Sequence, residues 1–186
     1  AGLIDLGFRA QIKMTGEDRV SFLQGMISND VKSLKPGGGC LATLLTEQGR
    51  IVADVRVYVC EQHLWLDVDV RIKEKLIETL SRFIIADDVE MEDLTETQTV
   101  IGMQGPLSSQ VLTSVGVSLA LAKEFQHDEA EIAGSSVHVV RVSDTGEEGY
   151  ELLVSYELVQ KVWRTLLEVG SSLGLRPVGL TALTML

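Results

Sequence analysis

The sequence predicts an α+β protein of two similar lobes, each an antiparallel sheet with packed helices in ferredoxin-like pieces. Three observations carry this. IKMTGEDRVSFL, residues 12 to 23, and IGMQGPLSSQVL, residues 101 to 112, both place Ile, Met and Gly at alternate positions, then Leu seven residues past the glycine. LDVDVRIKEKLIETL, residues 66 to 80, and LLVSYELVQKVWRTL, residues 152 to 166, repeat a second plan. The two offsets, 89 and 86 residues, differ by one small loop change. Finally, the acidic stretch ADDVEMEDLTETQ, residues 86 to 98, separates the halves, which predicts lobes at 1–95 and 96–186.

Each element follows from local pattern. The first repeat reads as a short strand, a glycine turn and a helix; Glu17 and Asp18 suit a first helical turn, as does Pro106 in the second copy. Residues 41–46, 50–60 and 63–69 read as a meander, with EQH at 61–63 as a turn. The second repeat is a strand running into an amphipathic helix. Leu76, Ile77 and Leu80 line one helix, and Val162, Trp163, Leu166 and Leu167 line its counterpart. KPGGGCL at 35–41 lacks a Gly-Lys-Ser/Thr ending and reads as a mobile connector rather than a phosphate loop. VGLTALTML at the end reads as a starting helix, and both ends look cut, as in a fragment of a longer protein.

Composition narrows the function classes. A hydrophobic fraction of 45% suffices for a packed core, and a net charge of −11 argues against general nucleic-acid binding. No window approaches the ~20 apolar residues of a membrane span, and the first ten residues do not read as a signal peptide. Cys40 and Cys60 form no CxxC, which fits a reduced cytoplasm. His63, His127 and His138 have no second ligand at metal spacing, so no metal site is expected.

Two acids stand out. In strand 50–59 one face holds Ile51, Ala53, Val55, Val57 and Val59, and the other holds Val52, Asp54, Arg56 and Tyr58. Asp54 is either half of a solvated ion pair with Arg56 or an acid that binds something. In SDTGEEGYELLVS, residues 143 to 155, Glu151 is either part of an ordinary hairpin or an acceptor for a ring with adjacent N–H donors.

Five stretches, in this order, resemble one known family. FLQGMISNDV, LLTEQGRIVADVRVY, IGMQGP, DTGEEGYEL and RPVGLTAL are similar to the folate-binding superfamily of the glycine-cleavage T-protein (aminomethyltransferase) and YgfZ-like proteins. The resemblance implies tetrahydrofolate held in a central hole. It also implies one-carbon transfer from an aminomethyl group on lipoyl H-protein. The family's GGxxDDxxV motif falls on Gly49–Val57, with its catalytic acid at Asp54. Its GYTGExGFE motif falls on Asp144–Glu151, with its pterin ligand at Glu151, and a family tyrosine matches Tyr58. With Arg56 alongside Asp54, these residues make up the expected cofactor site. The T-protein pattern is replaced at Leu41, Ala53, Asp144 and Leu183. FLQG and GRIxAD look more like the YgfZ-like branch, which implies a folate-dependent role in iron–sulfur enzyme maintenance or tRNA modification. The expected function is that branch, with iron–sulfur proteins as partners; an aminomethyltransferase and a non-catalytic interaction domain are the alternatives.

Overall fold

The computed structural model describes residues 1–183; the last three residues of VGLTALTML lie outside them. The chain forms two compact units: residues 8–95, and residues 1–7 together with 96–186. Within the first unit run β2 (Arg9–Thr15), α1 (Arg19–Met26), β3 (Gly38–Leu45), β4 (Ile51–Val59), β5 (Leu64–Asp69), α2 (Lys73–Ser81) and β6 (Glu90–Asp93). The other unit contains β1 (Gly2–Asp5), β7 (Gln98–Gln104), α3 (Ser108–Ser114), β8 (His127–Ile132) and β9 (Ser135–Arg141). It continues with β10 (Gly149–Ser155), α4 (Tyr156–Gly170), a 3₁₀ turn (Ser171–Leu173), β11 (Arg176–Val178) and α5 (Leu180–Leu183).

The near-repeat in sequence is a repeat in strand order. Unit 8–95 has the sheet β3-β4-β5-β2-β6, and the other unit has β8-β9-β10-β7-β1-β11. Position by position the orders coincide, with β11 added at one edge in parallel to β1. The helices follow equivalent strands: α1 and α3 come after β2 and β7, α2 and α4 after β5 and β10. The prediction of an α+β fold with antiparallel sheet thus holds in both units.

In each unit one face of the sheet takes the helices. Ala10, Ile12, Met14, Val55, Val57, Leu64, Leu66 and Val68 pack with Phe22, Leu23, Leu76 and Leu80. In the other unit Ile101, Met103, Val137, Val139, Leu152 and Val154 pack with Val111, Val162 and Leu166. Alternate strand residues leave one face apolar, and helical residues three and four apart complete it.

Four details differ from the sequence reading. Residues 1–7, assigned by sequence to the first lobe, pair as β1 with β7 and β11 instead. β1 takes the place in its sheet that β6 takes in the other, and a four-residue strand has too few residues to reveal its partner. The acidic separator contains β6, which lies antiparallel to β2; its charges point outward from an edge strand, a common way of protecting an edge. The glycines of KPGGGCL are partly strand rather than connector, since β3 begins at Gly38. Ile51 is 69% exposed while Val52 is buried in the core, the reverse of a strict alternation. A register shift between Leu44 and Leu45 explains this: Leu44 pairs with Ala53 and Leu45 with Ile51, which leaves Val52 as the extra residue of a bulge.

The glycine turn after β2 is a steric requirement. Gly16 has φ +103, and a Cβ there would lie 1.9 Å from the backbone oxygen of Asp88. The approach is locked by two reciprocal bonds: Glu17 N–H donates to Asp88 Oδ2 at 3.0 Å, and Asp88 N–H donates to Asp18 Oδ2 at 2.9 Å. Asp18 is therefore committed to the acidic stretch and makes no side-chain cap on α1. Gly16→Ala is expected to cost more than ~2 kcal/mol, since strain at positive φ alone is about 1–3 kcal/mol and the backbone must also move. Gly49→Ala, at φ +76 with nothing within 4 Å of the added carbon, is expected to cost about 1 kcal/mol. Urea midpoints of the two variants measure the difference; equal losses would show that the Asp88 approach does not matter.

Candidate functional site

The face of the 8–95 sheet opposite its helices is polar. Antiparallel register aligns Thr43 with Asp54, Leu41 with Arg56 and Gly39 with Tyr58 between β3 and β4. Between β4 and β5 it aligns Arg56 with Asp67 and Tyr58 with Trp65. Between β5 and β2 it aligns Asp67 with Gln11 and Trp65 with Lys13. Because directly opposed residues share a face, these side chains form one patch on the side that the core does not use.

Within this patch Asp54 is exposed, and its Oδ1 accepts a 3.3 Å bond from Thr43 Oγ1. Arg56 is half-buried, and Tyr58 is 1% exposed although it does not belong to the helix-side core. Leu41, where the family pattern has tyrosine, is 50% exposed. Ala53, where the pattern has a first aspartate, faces the core and is buried.

Sequence reasoning missed the centre of the patch. Asp67 and Gln11 are both 0% exposed. Arg9 Nε donates to Asp67 Oδ1 at 2.6 Å, and Arg9 Nη2 donates to the Asp67 carbonyl at 3.1 Å. Burial pushes the Asp67 carboxyl above the usual carboxylate range; the positive charges of Arg9 and Arg56, and the Gln11 amide, oppose that rise without cancelling it. The available signal was an aspartate midway along a strand otherwise rich in Leu and Val. Its partner Arg9 is 58 residues away, beyond the reach of any local pattern.

In the other unit, the segment 143–151 is fixed by the neighbouring motif IGMQGP. Buried Gln104 donates through Nε2 to the Val142 carbonyl at 3.1 Å and accepts from the Asp144 N–H through Oε1 at 3.2 Å. Gly149 is obligatory here, because a Cβ would lie 2.4 Å from the Val142 backbone oxygen and 2.2 Å from Gln104 Oε1. Glu148 accepts from Ser109 Oγ at 2.8 Å and from the Tyr150 hydroxyl at 3.1 Å. Burial, then the Glu148 carboxylate, pushes the Tyr150 hydroxyl up. Glu151 projects from the opposite face of β10 to Tyr150, pairs with Gly102 and Val140 in register, and is 1% exposed. The four sequence-predicted residues are thus divided: Asp54, Arg56 and Tyr58 share one sheet face, and Glu151 belongs to the other unit.

Fold and site together define a two-unit α+β protein whose non-core sheet faces carry one exposed acid, Asp54, and the buried acids Asp67 and Glu151. The chain belongs to the GCVT N-terminal domain family, whose model matches residues 1–186. It is 32% identical over 183 residues to an aminomethyltransferase from Chloroherpeton thalassium and 35% identical over 185 residues to one from Anoxybacillus flavithermus. These alignments cover 97% and 98% of this chain but only 51% and 50% of the relatives, so the chain spans about half the length of the curated proteins it matches. Among solved structures, glycine cleavage system aminomethyltransferase T from Bartonella henselae shares the fold with TM-score 0.86 at 23% identity, over 98% of this chain and 48% of that one. A chain of heterotetrameric sarcosine oxidase from Corynebacterium sp. U-96 shares it with TM-score 0.67 at 17% identity, over 95% of this chain and 86% of that one. Among the described residues, no helix is long and apolar enough to cross a membrane.

The Arg9–Asp67 pair gives a test with a definite sign. A carboxyl whose pKa is raised by folding contributes stability below its unfolded value, and that contribution is lost as pH rises through the folded value. Asp67 therefore depends most on Arg9 at neutral pH. Arg9→Ala is expected to destabilise by about 3 kcal/mol at pH 7.5, the low end of the cost of breaking a buried pair, because Arg56 stays beside Asp67. The loss should shrink as pH falls toward 5, because Asp67, left with only Arg56 beside it, takes up a proton more readily. Urea unfolding at the two pH values reads this; a loss that is unchanged or larger at pH 5 would contradict the buried-pair account.

Proposed function

We propose that this chain supplies the folate-binding portion of an aminomethyltransferase-type protein. Such a protein moves a one-carbon unit from an aminomethyl group on lipoyl H-protein to tetrahydrofolate and releases ammonia. The observation that carries the reading is Asp54, an exposed carboxylate at the catalytic-acid position of the family motif, fixed by Thr43 and not used in the core. The aminomethyltransferase relatives favour this function over the YgfZ-like, iron–sulfur expectation. One of the departures that suggested the YgfZ-like branch also loses weight. Ala53 faces the core, so its difference from aspartate changes packing and leaves the polar patch unaltered.

The donor set suits the ligand. A pterin edge presents adjacent N–H donors, and the Glu151 carboxylate can accept two of them side by side. Tetrahydrofolate, when bound, supplies the ring nitrogen that receives the one-carbon unit. The Asp54 carboxylate orients the reacting amine and stabilises positive charge that develops at the transferred carbon. The Thr43 hydroxyl donates to that carboxylate and helps to orient it. Arg56 and Tyr58 bound the same patch.

Asp54→Asn is expected to lower turnover with H-protein by about 100-fold or more, in the range for loss of a positioned acid–base or charge-stabilising group. The melting temperature should move by less than about 2 °C, as for an exposed site. A variant with normal turnover would remove Asp54 from the chemistry. Glu151→Gln should weaken tetrahydrofolate binding by about tenfold, the effect of roughly 1.4 kcal/mol. Calorimetry on the full-length protein reads the change, and an unchanged dissociation constant takes Glu151 out of the site. Failure of the unsubstituted protein to bind tetrahydrofolate would favour the non-catalytic interaction domain.

A further inference from the structure

The three histidines looked scattered in sequence, yet the β8–β9 hairpin brings two of them together. His127 opens β8 and His138 lies in β9; the register pairs His127 with Val140 and His138 with Glu129. On that ladder His127, Glu129 and His138 share a face. His138 Nε2 lies 2.6 Å from His127 Nδ1, with ring centroids 4.6 Å apart and planes tilted by 40°. His127 is buried and His138 half-buried. Two imidazoles from adjacent strands thus bring one nitrogen each into hydrogen-bond contact.

We propose that the His127–His138 pair is a binding site for a divalent transition-metal ion of the zinc type. The ligands from this hairpin are His127 Nδ1 and His138 Nε2. Neutral imidazole is a common ligand for such ions, with metal–nitrogen bonds of about 2.0–2.1 Å. Tetrahedral coordination places two such nitrogens about 3.3 Å apart, so the pair opens by about 0.7 Å, within the reach of small side-chain rotations. The proton balance is simple. In the neutral pair one facing nitrogen carries the N–H that the other accepts. Metal capture moves that proton to the far nitrogen of the same ring, and both facing lone pairs then turn to the ion. A pair that already holds an extra proton releases it to solvent on binding. Glu129 stands directly across from His138 and adds a negative charge on the same face, which favours a cation. The hairpin supplies the rigidity: six residue pairs hold the two strands in register, so neither histidine depends on a loop.

The test is calorimetric titration of ZnCl2 into the metal-stripped full-length protein at pH 7.5. The expected result is one ion per chain, with affinity reduced at least tenfold in both His127→Gln and His138→Gln and a smaller reduction in Glu129→Gln. In parallel, the imidazole ¹⁵N resonances of the unsubstituted protein should shift together for His127 and His138 as zinc is added, while His63 stays still. This second readout needs no variant and holds even if a substitution impairs folding. No zinc binding, or binding that leaves both imidazole signals unmoved, would overturn the proposal and leave the pair as a structural hydrogen bond.

Discussion

The antiparallel placement of β4 between β3 and β5 is the constraint on which the rest depends. It sets Thr43 against Asp54, Leu41 against Arg56 and Arg56 against Asp67. A slip of one residue would turn Val55 and Val57 outward and drive Asp54 and Arg56 into the apolar helix side. The bulge at Val52 confines one irregularity to the start of β4 and leaves the alternation intact from Ala53 onward. Inside the patch, the Arg9–Asp67 bond ties β2 to β5 across the centre of the sheet. A buried ion pair of this kind adds little net stability, because desolvation offsets attraction. Its effect is to make other pairings costly, since any misregister would strand a charge.

The same strand order serves two different surfaces. In residues 8–95 the non-core face is polar and includes an exposed acid. In the second unit the equivalent face contributes Val100, Val140, Leu153 and the buried acid Glu151. The recurring strand–glycine–helix corner is met by different chemistry in each copy. At Gly16 the corner admits the Asp88 backbone. In the second copy the residue before the corner, Gln104, reaches across to hold the segment leading to Glu151. Repeating a scaffold while varying its polar residues lets one fold present two distinct carboxylates.

Much of this was legible in the sequence because it obeys short periods. Alternation in 53–59 placed Asp54, Arg56 and Tyr58 on one face, and the apolar spacing of 76–80 and 162–167 marked the helix faces. What stayed hidden depends on pairing between distant strands. Arg9 and Asp67 meet only because β2 lies beside β5, and His127 and His138 meet only through a hairpin register. β1 gave no sign that it belongs with β7, since four residues are too few to specify a partner strand. Ile51 and Val52 misled because a bulge resets the period without leaving a mark in composition. The roles of Asp54 and Glu151 came from family resemblance; strand alternation alone identified acids on faces.

The central claim is that the non-core face carrying Asp54 is a ligand face. Amide chemical-shift mapping of ¹⁵N-labelled protein during titration with tetrahydrofolate tests it most directly. The account predicts that the largest shifts fall on Thr43, Asp54, Arg56 and Tyr58 in one unit and on Glu151 in the other, while the helix-side strand residues and α2 change little. Shifts centred on α2 or on the outer face of α4, with Asp54 and its neighbours unmoved, would contradict it.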